Sequence, residues 1–207
     1  METRTYSRHT KETQVEVTFG EPVPGRRPDE GIATSWSFLD HMLTAMAFHG
    51  VLGLVVQAAG DVANGYHHLA EDTGYSMGRA VAEVVGEGRG VRRFGEATIP
   101  MDEALTQVVL DLGGRPGAFL APAETAERLR TASENGDALA EFFIGFARGA
   151  TCTLHLRFLA GNSPHHQWEA AFKAFGLALR EALGPRTQAA GAVGTAEISS
   201  TKGLLRG

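Results

Sequence analysis

One spacing occurs twice in this chain: His67-His68-Leu69-Ala70-Glu71 is answered by His165-His166-Gln167-Trp168-Glu169. A repeat of this kind constrains the fold more than any composition does, because two copies of one supersecondary unit bury their apolar faces against each other. The apolar spacing around the two copies agrees. In the first half, strands are expected over 4–9 and 14–19, a helix over 37–49, a strand over 51–58 and a helix over 67–85. In the second half, strands are expected over 105–112 and 118–121, a helix over 138–147, a strand over 151–159 and a helix over 165–183. Helix assignments rest on faces such as Phe38, Leu39, Met42, Leu43, Met46 and Phe172, Phe175, Leu179, Leu183, which follow a 3.6-residue period. Strand assignments rest on aliphatic runs bounded by Gly or Pro. Both halves read as ββαβα, which predicts an α+β fold of duplicated half-domains with helices packed between two sheets. The expected division is 1–93, 94–186 and a tail, 187–207, all within one compact domain.

Composition removes several classes of function. A net charge of −5 without a Lys/Arg stripe gives no footprint for nucleic acid. No apolar run reaches the roughly 20 residues that span a bilayer, so no membrane role is expected. The first residues are polar and Cys152 is the single cysteine, which makes a cytoplasmic location the expectation. Cys152 and His155 lie in an alternating strand pattern and read as packing residues.

The chemistry is carried by the histidines. On a helix, residues i and i+4 share a face, so His67 with Glu71 and His165 with Glu169 can each converge on one ion. The second histidine of each pair, His68 or His166, points about 100° away. It serves a different ion more easily. The economical arrangement is two metals, each taking a His/Glu face from one repeat and the second histidine of the other. Imidazole and carboxylate without thiolate suit Mn, Fe, Co or Zn, and open octahedral sites favour Mn or Fe.

The wider sequence resembles the imidazoleglycerol-phosphate dehydratase family. The runs that carry the resemblance are Phe38-Leu39-Asp40-His41-Met42, His67-His68-Leu69-Ala70-Glu71-Asp72, Arg93-Phe94-Gly95 and Met101-Asp102-Glu103-Ala104-Leu105. They continue with Asp111-Leu112-Gly113-Gly114-Arg115-Pro116, Thr153-Leu154-His155-Leu156-Arg157, His165-His166 with Glu169 and Phe172-Lys173-Ala174, and Ser200-Thr201-Lys202-Gly203. The resemblance implies a ribosomal protein S5 domain 2-like fold and a hydro-lyase of histidine biosynthesis. The reaction would convert imidazoleglycerol phosphate to imidazole-acetol phosphate through an imidazolate held by two Mn2+ per active site, with Fe2+, Co2+ or Zn2+ as alternatives.

The same resemblance implies roles by position. One metal site would use His41, His68, His165 and Glu169; the other would use His67, Glu71, His166 and Glu141. Glu141 stands where the family places a histidine. Glu12 is implied as the acid/base group, with Glu71, Glu169 and His68 also in the catalytic set. Arg93, Arg115, Lys173, Ser200, Thr201 and Lys202 are implied to bind the substrate's phosphate, beside Glu12. Asp102 and His49 also match, with structural hydrogen bonding as their expected role. Sites shared between subunits imply a cage-like homo-oligomer of about 24 subunits. Besides Glu141, the segments 33–37 and 62–66 depart from the family and border the substrate region. They leave room for a relative acting on another azole or phosphate ester; a metal-binding cage without turnover is the remaining alternative.

Overall fold

The fold is taken from a computed structural model, which describes residues 1–60, 62–132, 134–186 and 198–200. The first half forms β1 (Arg4–His9), β2 (Thr13–Gly20), β3 (Ile32–Ala33), α1 (Ser37–Gly50), β4 (Gly53–Gly60) and α2 (His67–Val85). The second forms β5 (Phe94–Met101), β6 (Ala104–Asp111), β7 (Gly117–Ala121), α3 (Ala123–Thr131), α4 (Glu134–Ala150), β8 (Thr153–Ala160) and α5 (Pro164–Leu183). The sheet orders are β1-β2-β4-β3 and β5-β6-β8-β7, each with two antiparallel pairings and a parallel last strand. This is the expected duplicated α+β architecture. In register, Thr13 answers to Ala104, Gly53 to Thr153, Ile32 to Leu120 and His67 to His165.

Helices α2 and α5 each lie against the first hairpin of their own half, α2 on β1 and β2 and α5 on β5 and β6. They also pack on helices of the other half, α2 on α4 and α5 on α1. The helices therefore fill the space between the sheets. Their interface is fully buried, with Phe142, Phe143, Phe146, Trp168, Phe172 and Phe175 beside Leu39, Met42, Leu43 and Met46. Phe146 and Phe175 meet edge to face at 4.7 Å, and Phe143 and Phe172 pack tilted at 4.8 Å. Each such ring contributes about 1.5–3 kcal/mol by leaving water.

The α2–α4 contact is backbone on backbone. Gly74 and Gly78 on α2 face α4, and Gly145 and Gly149 on α4 face α2; a Cβ on Gly74 would lie 2.0 Å from the Phe142 carbonyl oxygen and one on Gly149 2.1 Å from that of Tyr75. The α1–α5 pair repeats the device with Gly50 and Gly176. Only glycine permits this separation.

Four local differences from the sequence expectation have clear causes. β5 was not among the expected strands; it contains Pro100 and lies at the sheet edge, where a missing N–H is tolerated. Residues 117–121 are the fourth strand and the counterpart of β3, so the second half's opening hairpin is β5–β6. The polar helix α3 buries only Ala126 and Leu129 and gave little apolar signal. β4 and β8 both begin two residues late, because Val51 (φ 52°) and Thr151 (φ 50°) close the preceding helices in the left-handed region. Leu52 N–H donates to Ala47 O at 2.9 Å, and Cys152 N–H to Ala147 O at 3.0 Å, the same Schellman closure in both halves. No helix among the described residues is long and apolar enough to cross a membrane.

Candidate metal centre

The ligand-type side chains gather where helices begin. His41 lies one turn into α1, whose start is fixed by Asp40 Oδ1 accepting from the Thr34 N–H and hydroxyl, both at 2.7 Å. His165 and Glu169 lie in the first turns of α5, which Ser163 caps by accepting from the His166 N–H and which Pro164 opens. Crossing of α1 with α5 brings these three together. Glu169 Oε2 lies 3.2 Å from His41 Nε2 and 3.1 Å from His165 Nε2. Its other oxygen pairs with Lys173 Nζ at 2.8 Å. Burial pushes the Glu169 carboxyl up, but hydrogen bonds from Lys173 and His41 outweigh it and hold the group below its ordinary range.

A second trio occupies the equivalent crossing of α2 with α4. His67 Nδ1 lies 3.1 Å from Asp137 Oδ2, and Glu141 completes the group. Arg130 on α3 donates to Asp137 Oδ1 at 2.7 Å and to Glu141 Oε1 at 2.8 Å. Burial raises the Asp137 carboxyl, while His67 and Arg130 lower it further, so it too is held ionised.

In each trio the donor atoms lie within 4.8 Å of one another. Ligand atoms about 2.0–2.2 Å from one ion stand at most about 4.4 Å apart, so small side-chain adjustments suffice to bind a divalent cation. Nitrogen and carboxylate oxygen donors also have the right chemistry. The residues fit a metal at both places.

Several predicted ligands lie elsewhere. Glu71 ion-pairs with Arg148 and is outside the second trio, where Asp137 takes its place. His68 and His166 belong to neither trio. His68 Nδ1 is 3.6 Å from Glu12 Oε2, and His166 Nδ1 is 2.7 Å from Glu103 Oε2. Asp102 Oδ2 lies 3.7 Å from His166 Nε2.

The predicted phosphate groups divide into two sets. Arg93 donates to both oxygens of Asp111, at 2.6 and 3.0 Å, and to Ser199 O at 2.9 Å; Arg115 reaches Asp111 Oδ2 at 3.2 Å. This brings residues 198–200, and Ser200 with them, to the two arginines. Lys173 is with Glu169 at the first trio. Thr201 and Lys202 lie outside the described residues.

A cavity of about 370 Å³ opens on the first trio, with His41, Glu169, Lys173, Arg27, Thr44 and His49 in its wall. Burial, and then the Lys173 charge, lower the His49 pKa against an opposing pull from Glu169. A larger apolar cleft of about 590 Å³ shares Arg27, Phe48 and His49 but contains no candidate ligand. The segments 33–37 and 62–66 meet in a Trp36–Tyr66 stack at 4.5 Å, next to the start of α2. Cys152 is buried, which pushes its thiol up to about 12, and His155 stacks on Phe119 at 4.8 Å on β8.

Sequence reasoning missed Asp137, Arg130 and Glu103. Asp137 falls just before the helix expected over 138–147, whereas α4 already begins at Glu134. Glu103 was recoverable from the repeat, since Thr13 answers to Ala104 and Glu12 therefore to Glu103.

Residues 34–179 match the family model described as imidazoleglycerol-phosphate dehydratase. Proteins of that name from Burkholderia multivorans and Burkholderia vietnamiensis are each 45% identical over 199 residues, covering 96% of this chain and 96% of the relative. Among solved structures, the enzyme from Pyrococcus furiosus in complex with (S)-C348 superposes with a TM-score of 0.77 at 37% identity, covering 96% of this chain and 99% of that one. The Staphylococcus aureus enzyme gives 0.74 at 31% identity, covering 89% and 100%.

Proposed function

The chain belongs to the imidazoleglycerol-phosphate dehydratase family and is a hydro-lyase, and from that premise we propose that it dehydrates imidazoleglycerol phosphate to imidazole-acetol phosphate at two metal sites built on the trios. The observation that carries this reading is the convergence of His41, His165 and Glu169 beside Lys173. Each trio is one ligand short of a four-residue site. His68 and His166 are the predicted ligands that lie outside both trios, and we assign them to the trios of neighbouring copies in a cage-like homo-oligomer. His41, His165 and Glu169 would then be completed by His68, and His67, Glu141 and Asp137 or Glu71 by His166. The 1–93 and 94–186 halves act as one domain, with the 187–207 tail adding to the site, in a cytoplasmic enzyme.

When bound, two divalent cations, manganese by family resemblance, supply Lewis acidity to the imidazole ring. The chain's own residues do the rest. Glu12, at the tip of the β1–β2 hairpin and 59% exposed, exchanges the proton of the side-chain carbon. Loss of that proton and of the hydroxyl releases water and leaves an enol, which tautomerises to the ketone. Arg115, Ser200, Thr201 and Lys202 hold the phosphate, with Arg93 anchoring the tail through Ser199 O. Lys173 orients Glu169.

The test is turnover of imidazoleglycerol phosphate by protein reconstituted with Mn2+. Formation of imidazole-acetol phosphate is expected, and no product above the metal-free control refutes the assignment. A second reading, action on a related azole or phosphate ester, is favoured by Glu141 and by the Trp36–Tyr66 stack. It predicts a better substrate among such compounds.

A further inference from the structure

The two hairpin tips carry equivalent carboxylates in unequal states. Glu12, on the β1–β2 turn, approaches His68 Nδ1 only to 3.6 Å, beyond hydrogen-bonding range. Glu103, its counterpart on the β5–β6 turn, makes three short contacts. Its Oε1 accepts from the backbone N–H groups of Asn162 at 3.1 Å and Ser163 at 2.8 Å, and its Oε2 faces His166 Nδ1 at 2.7 Å. The first pair tethers the hairpin to the residues that lead into α5. The third reaches the ring of His166, the third residue after the cap of α5, Ser163.

We infer that Glu103 is a positioning residue, which fixes the His166 ring with its proton on Nδ1 and its Nε2 lone pair presented outward as a ligand. The inference rests on the reading of His166 as a metal ligand, and goes beyond it by naming what sets the tautomer. An ionised carboxylate only accepts, so a 2.7 Å contact requires the proton on Nδ1. The other nearby carboxylate, Asp102, stands 3.7 Å from Nε2 and is 76% exposed, too far to hold a proton there. Histidines that ligate metals commonly need such a partner on the remote nitrogen. The duplication has thus given one position two tasks: Glu12 remains loose enough to exchange protons, and Glu103 is tied down by the backbone.

The experiment uses the full chain labelled with 15N-histidine. In the metal-free protein at alkaline pH, two-bond 1H–15N correlations are expected to show His166 as the Nδ1–H tautomer. Glu103→Ala should release it to the Nε2–H form that free imidazole prefers, whereas Glu103→Gln, whose carbonyl still accepts, should retain Nδ1–H. In Mn2+ titrations Glu103→Ala should weaken one class of bound metal by about 10–100-fold, and Glu103→Gln should change it less than about threefold on the same scale. An Nε2–H tautomer in the unmodified protein overturns the inference, and that spectrum decides the matter even if Glu103→Ala does not fold. Unchanged Mn2+ affinity in a folded Glu103→Ala also overturns it. Failure of the unmodified protein to turn over imidazoleglycerol phosphate, with both Glu103 results as expected, would remove the dehydratase reading alone.

Discussion

Gly145 on α4 stands so close to α2 that a Cβ there would fall 2.3 Å from the carbonyl oxygen of Glu71. Glu71 is one helical turn beyond His67, so the same contact that packs the helices fixes where the start of α2 lies. Gly145→Ala must push α2 and α4 apart. A loss of about 1–3 kcal/mol in unfolding free energy is expected, together with weaker Mn2+ binding at the second trio. Urea unfolding and Mn2+ titration check both; full stability with unaltered binding would show that the seam has room to spare.

The metal assignment makes a sharper prediction through its carboxylates. Glu169→Gln removes the negative charge of the carboxylate that both His41 and His165 face, and combined with Glu71→Gln it should abolish tightly bound metal. Metal analysis after dialysis reads the stoichiometry, and an unchanged value contradicts the ligand set. Glu141→His, tested separately, should alter metal content or rate, because it also removes an acceptor from Arg130. If neither changes, Glu141 is not a ligand.

Val51 takes φ 52° and ψ 52° with a β-branched side chain that is itself 53% exposed. A left-handed L-residue costs roughly 1–2 kcal/mol, and part of this is relieved by glycine, which brings an entropy cost of its own. Val51→Gly should raise stability by about 0.5–1 kcal/mol, measured by chemical denaturation. Thr151→Gly, at the equivalent closure of α4, should behave alike. Destabilisation at both would mean that the side chains contribute more by contact than the backbone loses by strain.

Acid should act through Glu103. Hydrogen bonding to His166, then to the backbone of Ser163 and Asn162, lowers its pKa from 4.5 to about 2. Between those values the folded chain binds fewer protons than the unfolded one, so stability from this group is complete above about pH 5 and is lost as pH falls toward 2. In the metal-free protein, the thermal midpoint should therefore drop more steeply over this interval than in Glu103→Gln. Parallel curves would count against the contact.

The fold was legible because both sources of its signal are repetitive: apolar helix faces of fixed period and one chemical motif in two copies. What was not legible followed from context that a local pattern lacks. Pro100 argues against a strand until β5 is known to lie at an edge, and Val51 looks like a strand residue until its backbone turns left-handed. At the site, His41, His165 and Glu169 could be chosen by residue type and spacing. Asp137 could not, because its membership in the second trio depends on α4 starting before it and on Arg130 reaching across from α3. Glu71 failed to join that trio for a similar reason: the ion pair with Arg148 comes from an element far away in sequence.

The glycine seams act as a gauge block for the chemistry. Where side chains separate two helices, substitution can widen or narrow the gap in small increments, and a metal site between them can be retuned by repacking. Here carbonyl oxygens already meet α-carbons across α2–α4 and α1–α5, so the aperture has one setting. Adaptation to a different ion or a different azole is then confined to exchanging the residues at its rim, such as Glu141, Asp137, Trp36 and Tyr66, while the spacing behind them stays the same.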